Sequence, residues 1–277
     1  MSNPELMNQI LTDRPALSRY RRRVKKSEGR LLREEAASEL RERLDLVNRS
    51  FSSPVIVSAH PKFWKDAFNG DKSLKDGELH DIEAGAHDLA VHAMCLHWAN
   101  DPVGQLIQMK RALRPDGLFL GICPGGQTMS ELRSCLAQAE MEITGGMSPR
   151  VAPMAEIRDL GSLLQRAGFA LPVADSITRR LSYSSPLHLV HDIRKTGESN
   201  ALESRLRHFT RRGIFDRAFD LYLENYGDDT GGIYATLEII VLTGWSPHPG
   251  QPQPLAPGSA SVGLANALSG KKSPTSN

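Results

Sequence analysis

The chain has 277 residues, 40% of them hydrophobic, which suffices for one well-packed α/β domain with appendages. Its 34 Lys and Arg nearly balance its 32 Asp and Glu, so no global field draws in nucleic acid or an anionic membrane, and any electrostatic recognition is local. Cys95, Cys123 and Cys135 show no CxxC spacing, which argues against a disulfide framework or a zinc site and for a reducing compartment. No apolar run reaches the roughly 18 residues of a membrane span. These features predict an intracellular protein without a transmembrane segment. The Arg-rich opening imitates a mitochondrial transit peptide, but Glu5 and Asp13 precede the arginines and such peptides are poor in acids.

In chain order, residues 13–51 read as helix, with Leu31, Leu32, Leu40, Leu44 and Val47 at helical spacing. One basic cluster stands out, Arg19, Arg21, Arg22, Arg23, Lys25 and Lys26, which is either a solvated helix face or a docking site for an acidic partner or phosphates. Pro54 ends the helical pattern, and Val55, Ile56 and Val57 form a first strand leading to Ser58, Ala59 and His60. Residues 62–87 are polar, with one apolar cluster at Phe63, Trp64 and Phe68, and predict a short helix and a loop.

A second strand spans 88–96, an almost continuous apolar run of the kind a sheet buried on both faces requires, with His97 and Trp98 at its carboxyl end. Asp101 and Pro102 then supply the cap and first residue of a helix that reaches Leu113. A turn at 114–117, a third strand at 118–123, a break at Pro124, Gly125 and Gly126, and a helix over 130–142 follow. Beyond these come a helix at 157–167 stopped by Gly168, a strand at 177–183, helices starting at Pro186 and spanning 214–225, and a closing strand at 234–244. Strand alternating with helix predicts an α/β fold with a mostly parallel sheet. The Pro/Gly/Ser-rich residues after Trp245 predict a disordered tail, giving a basic helical region (1–53), a main domain (54–245) and a tail (246–277).

Ligands of an open parallel sheet bind at the carboxyl ends of its strands, so Ser58 and His60, His97 and Trp98, and Gly125 and Gly126 are the candidate site. His97 could orient or deprotonate a polar group near neutral pH, and Trp98 could wall an adenine or a sulfonium cation. Against this, a histidine beside a core strand is commonly structural, a tryptophan commonly packs, and a Gly-Gly pair can be a simple turn. His87, His92 and His97, spaced by five, line no single strand face, and Cys95 sits in a buried run. No hydrolase, Walker or zinc motif appears.

The segments Asp88-Leu-Ala-Val-His-Ala-Met-Cys-Leu-His-Trp-Ala-Asn-Asp101 and Arg111-Ala-Leu-Arg-Pro-Asp-Gly-Leu-Phe-Leu-Gly121 resemble the fourth-to-fifth-strand region of class I S-adenosylmethionine-dependent methyltransferases. Gly125-Gly-Gln-Thr-Met-Ser-Glu-Leu-Arg133, Gly145-Gly-Met-Ser-Pro149, Asp159-Leu-Gly-Ser-Leu-Leu-Gln-Arg-Ala-Gly-Phe169 and Gly197-Glu-Ser-Asn200 are similar to the complex I assembly factor branch of that family. Relatives in the resemblance include the carrier-protein methyltransferase of biotin synthesis and a mitochondrial arginine hydroxylase acting on a complex I subunit. The resemblance implies a Rossmann-like fold, S-adenosylmethionine as cofactor, tentative contacts to it from Trp98, Ser58, His60, Gly125 and Gly126, and His97 as the catalytic candidate. It further implies a respiratory complex I subunit as partner, in the cytoplasm of a bacterium or the mitochondrial matrix of a eukaryote.

The cofactor half departs from the pattern. Where the family has an acidic residue and a turn of the kind Asp-x-Gly-x-Gly-x-Gly, this chain has Val55-Ile-Val-Ser-Ala-His-Pro-Lys-Phe-Trp64, with no glycine and no carboxylate. From Ala59 to Asp88 there is too little chain for two further strands with their helices, at roughly 30 residues per βαβ unit. Asp81 or Glu83 is the remnant expected for the ribose-binding acid. Three functions follow as expectations: a methyltransferase with a rebuilt site, a pseudoenzyme that binds or assembles a partner, and an arginine hydroxylase.

Overall fold

A computed structural model describes residues 10–25, 29–68, 70, 72–229 and 231–252. The helical elements are α1 (Arg14–Arg23), α2 (Arg30–Leu46), α3 (Pro61–Phe68), α4 (Pro102–Ala112), α5 (Ser130–Thr144), α6 (Ile157–Ala167), α7 (Pro186–Thr196) and α8 (Arg212–Tyr226). The strands are β1 (Pro54–Ser58), β2 (Lys72–Lys75), β3 (His87–Ala93), β4 (Leu113–Pro124), β5 (Ala170–Tyr183) and β6 (Ile233–Trp245). They form one six-stranded sheet in the order β2-β1-β3-β4-β6-β5. β1 is parallel to β2 and β3, β3 is parallel to β4, and β6 runs antiparallel to both of its neighbours. This is a mostly parallel, Rossmann-like sheet, with its topological switch beside β1 and β3.

Both sheet faces are covered, which is why β1 and β3 read as continuous apolar runs. On one face Leu106 and Met109 of α4 and Leu160 and Leu164 of α6 pack on Val55, Phe119 and Leu242. On the other, Ala36, Ala37 and Leu40 of α2 and Trp64 of α3 pack on Ile56, Val91, Leu120 and Ile239. A third cluster joins α5, α7 and α8 through Leu136, Leu189 and Tyr222. The helix starts use the signals the sequence carries: the Asp101 carboxylate accepts from the Gly104 N–H at 2.8 Å with Pro102 behind it, and Ser185 caps α7 ahead of Pro186.

Several boundaries differ from the sequence expectation. The single helix over 13–51 is two, separated where Gly29 takes a left-handed conformation (φ +60°) as the cap of α2. The polar stretch 62–87 holds a strand, β2, whose Lys-Ser-Leu-Lys sequence has one apolar residue because it is an edge paired only to β1. One strand of the two that would ordinarily lie here therefore fits. The turn expected at 114–117 is a register shift inside a longer β4, with Asp116 at φ +62°, and β5 begins at Ala170 rather than 177.

By its internal contacts the chain divides into a unit Met1–Pro247, which includes α1 and α2 together with the sheet, and a unit His248–Asn277. Of the second, residues 248–252 are described and form a turn. The tail expected at 246–277 lies mostly outside the described residues, as do residues 1–9 of the transit-like opening and Lys26 of the basic cluster. No helix among the described residues is long and apolar enough to cross a membrane.

Phe119 is fully buried and stacks on Phe169 with ring centroids 4.8 Å apart. Phe119→Ala is expected to cost about 3–5 kcal/mol, whereas removing the α4 cap with Asp101→Ala costs about 1 kcal/mol. Urea unfolding of the two variants measures both, and equal losses would contradict this account of the core.

Candidate functional site

The strand ends meet under a cleft of about 1690 Å³ whose lining includes His60, Met94, His97 and Trp98. Ser58, Gly125 and Gly126 are not part of that lining. Ser58 is buried, and its Oγ accepts from the His60 N–H at 2.9 Å, closing the turn that leaves β1. A Cβ on Gly125 would lie 2.5 Å from Glu238 Oε2, and one on Gly126 would lie 2.3 Å from Glu156 Oε1. Their close approach is therefore to this protein's own carboxylates. His60 Nε2 lies 3.3 Å from Arg33 Nη1, and burial, with the Arg33 charge, pushes its pKa down to about 4.

His97 and Trp98 lie in a one-turn 3₁₀ helix, Leu96–Trp98, that follows β3. Both converge on Glu198, in the Gly197-Glu-Ser-Asn200 segment just after α7: His97 Nε2 lies 3.2 Å from Glu198 Oε2, and the Trp98 indole N–H donates to the same oxygen. His97 Nδ1 is buried and has no hydrogen-bond partner among the described residues. The other Glu198 oxygen receives Arg21, whose Nε donates to Oε1 at 3.0 Å. Arg21 Nη1 at the same time donates to Asp76 Oδ2 at 2.7 Å, and Arg14 adds a second cation at 3.2 Å. The acid at the carboxyl end of β2 is thus Asp76; the expected remnants Asp81 and Glu83 sit in the loop beyond it.

The guanidinium of Arg21 accordingly spans the crevice from Asp76 at the end of β2 to Glu198 after α7, which holds His97 and Trp98. α1 can approach this closely because position 197 is glycine: a Cβ there would lie 3.1 Å from Arg21 Cα, and the backbone is left-handed at φ +80°. Leu17 of α1 packs with Trp98, Ala152 and Ala201 to complete the seal. Burial would raise the Glu198 carboxyl, but the Arg21 charge and the His97 and Trp98 hydrogen bonds override it and hold the pKa at about 2. Asp76, whose side chain is 4% exposed, is likewise held below its ordinary value by Arg21 and Arg14 against the opposing effect of burial.

The cofactor implied by the family resemblance would meet a crevice that departs from the family pattern. No glycine opens the turn after β1, His60 with Arg33 stands over that turn, and the carboxylate in the ribose position is engaged by two arginines. Among the described residues no group of three His, Cys, Asp or Glu side chains is placed to hold a metal ion. Cys95 is buried, and burial raises its thiol well above the ordinary value, so it is core.

These shifts set the acid behaviour. Between pH 6.5 and about 4 the unfolded chain takes up protons at His60 and His92 that the folded chain refuses. Between pH 4.5 and about 2 the same holds at Glu198. Stability therefore falls as pH falls through both windows. Arg21→Met, which leaves Asp76 and Glu198 without their shared cation, is expected to cost about 3–5 kcal/mol at pH 7 and less toward pH 4, with partial rescue by Glu198→Gln. Denaturant titrations of the two single variants and the double variant across pH check this; additive losses would rule out the pairing.

No protein-family model matches the chain. It is 36% identical over 193 residues to the mitochondrial arginine-hydroxylase NDUFAF5 of Danio rerio, covering 70% of this chain and 60% of that protein. The Homo sapiens protein of the same name is 37% identical, covering 68% and 54%. The chain thus spans little more than half the length of these relatives. Among solved structures it is similar to a putative methyltransferase from Bacillus halodurans, with a TM-score of 0.49 and 12% identity over 76% of this chain and 99% of that one. The putative methyltransferase RP459 of Rickettsia prowazekii is 30% identical over 176 residues, covering 63% of this chain and 76% of that protein. At that identity and coverage, the chain belongs to the methyltransferase-like family that the Rickettsia protein represents.

Proposed function

We propose that this chain is a binding or assembly member of the methyltransferase family whose cofactor crevice is closed by its own N-terminal helix. The supporting observation is the Arg21 guanidinium held between Asp76 and Glu198. A methyltransferase needs that space for a cofactor carrying its own cation and ribose, and here a buried, doubly paired arginine fills it. On this reading His97 and Trp98 are positioning residues that fix Glu198, and Ser58, His60, Gly125 and Gly126 shape the strand ends. Residues 54–245 are the binding body and α1 its closure.

The partner follows from the resemblance to the complex I assembly factor branch: a subunit of respiratory complex I, met in the bacterial cytoplasm or the mitochondrial matrix. Arginine hydroxylation is the activity in the name of relatives of which this chain matches 60% and 54% of the length.

A second reading, a methyltransferase that works once α1 withdraws, is favoured by Asp76. Its place after β2 suits hydrogen bonds to ribose hydroxyls, and S-adenosylmethionine is the cofactor of this family. His97 and Trp98 would then border substrate and cofactor.

Calorimetric titration with S-adenosylmethionine and its demethylated product separates the two. The first reading expects no binding by the native chain. Micromolar binding by the native chain that is lost in Trp98→Ala would overturn it, and binding gained only in an Arg14→Ala/Arg21→Ala double variant would establish the second.

A further inference from the structure

The cleft beside this closure is strongly basic, although the chain as a whole is nearly neutral. Eight Lys and Arg and three Asp and Glu side chains line it, and of the eight, Arg150, Arg179 and Arg205 are paired with Glu140, with Glu35 and Glu39, and with Asp13. All three acids are engaged: Glu198 by Arg21, Glu35 by Arg179, and Asp192 by the Tyr183 hydroxyl. Arg23, Arg180, Arg194 and Lys195 have no carboxylate partner among the described residues, and all four are exposed. Arg180 is held over the Tyr234 ring at 4.0 Å, which fixes its direction while leaving its charge unneutralised.

Between these cations the wall is apolar, with Met129, Leu132, Val190, Ile193 and Phe215 contributing. His97 lies in the same lining. The cleft volume of about 1690 Å³ exceeds the roughly 300–1,000 Å³ of small-molecule sites.

We infer that this cleft receives an acidic polypeptide segment of a partner protein, with carboxylates set against Arg180, Arg194, Lys195 and Arg23 around an apolar anchor against the Met129–Phe215 wall. Charge complementarity selects this occupant. The chain's own residues 253–277 contain no Asp or Glu and cannot supply the carboxylates. The inference deepens the binding reading above by naming the chemistry of the partner.

The test uses the full chain and a fluorescein-labelled synthetic peptide in which Glu residues flank Leu and Phe, with a Lys-for-Glu version as control. Micromolar binding of the acidic peptide is expected, weakening steeply with salt and by about tenfold or more in the exposed-charge variant Arg180→Gln/Arg194→Gln. The Lys version is expected to bind at least about tenfold more weakly. Equal binding of both peptides, no binding of the acidic one, indifference to the double substitution, or capture by phosphatidylglycerol vesicles in place of the peptide would each overturn the inference. Cofactor calorimetry on the same sample reads the closure separately: a silent cofactor with a silent peptide sinks this inference alone, whereas micromolar cofactor binding sinks the binding reading.

Discussion

The structure depends on one cation shared by two carboxylates. Asp76 leaves the edge strand, Glu198 follows α7, and Arg21 comes from the first helix, so three segments far apart in sequence meet at one guanidinium. Taking any one of these charges out of water alone would cost several kcal/mol. Arg21 answers the two acids with different nitrogens of a planar, rigid fork, a geometry that a lysine ammonium does not reproduce. Glu198 in turn gathers the His97 imidazole and the Trp98 indole, so the orientation of the residues after β3 follows from the same contact.

The shortening of the cofactor half and the presence of the N-terminal helices have a common physical logic. Between β1 and β3 there is chain for one helix and one four-residue strand. A sheet buried on both faces still needs its full apolar cover, and α2 supplies it by laying Ala36, Ala37 and Leu40 against Ile56, Val91 and Leu120. With α2 committed to the sheet face, α1 is led across the strand ends. The glycine-free turn after β1 leads into His60, which Arg33 of α2 reaches.

Much of the frame was legible in the sequence. The apolar run at 88–96, the Asp101-Pro102 start and the Gly168 stop rest on local rules of burial, capping and backbone conformation, and local rules can be read locally. The site was legible only in part. His97 and Trp98 follow from the principle that ligands meet strand ends, but Glu198 lies in a segment whose pattern carries no chemistry of its own, and only the fold brings it to them. Asp76 was hidden because the strand before it is a polar edge with Leu74 as its single apolar residue. Charge balance requires acids elsewhere in the chain but does not say which of them meets the basic helix, so no local signal marked Asp76.

That basic cluster also shows why composition could not separate docking from solvation. Residues two apart on a helix point roughly 200° away from each other, so Arg21 and Arg23 cannot serve the same surroundings. Arg21 turns into the crevice and is neutralised there, while Arg23 faces the open cleft with no carboxylate beside it. A ten-residue helix thus pairs Arg21 with the two acids of the crevice and adds Arg23 to the cations that β5 and α7 bring to the adjoining cleft. Arg21 and Arg23 tie the paired crevice and one cation of the adjoining cleft to the same helix, and a change that moved α1 would alter both together.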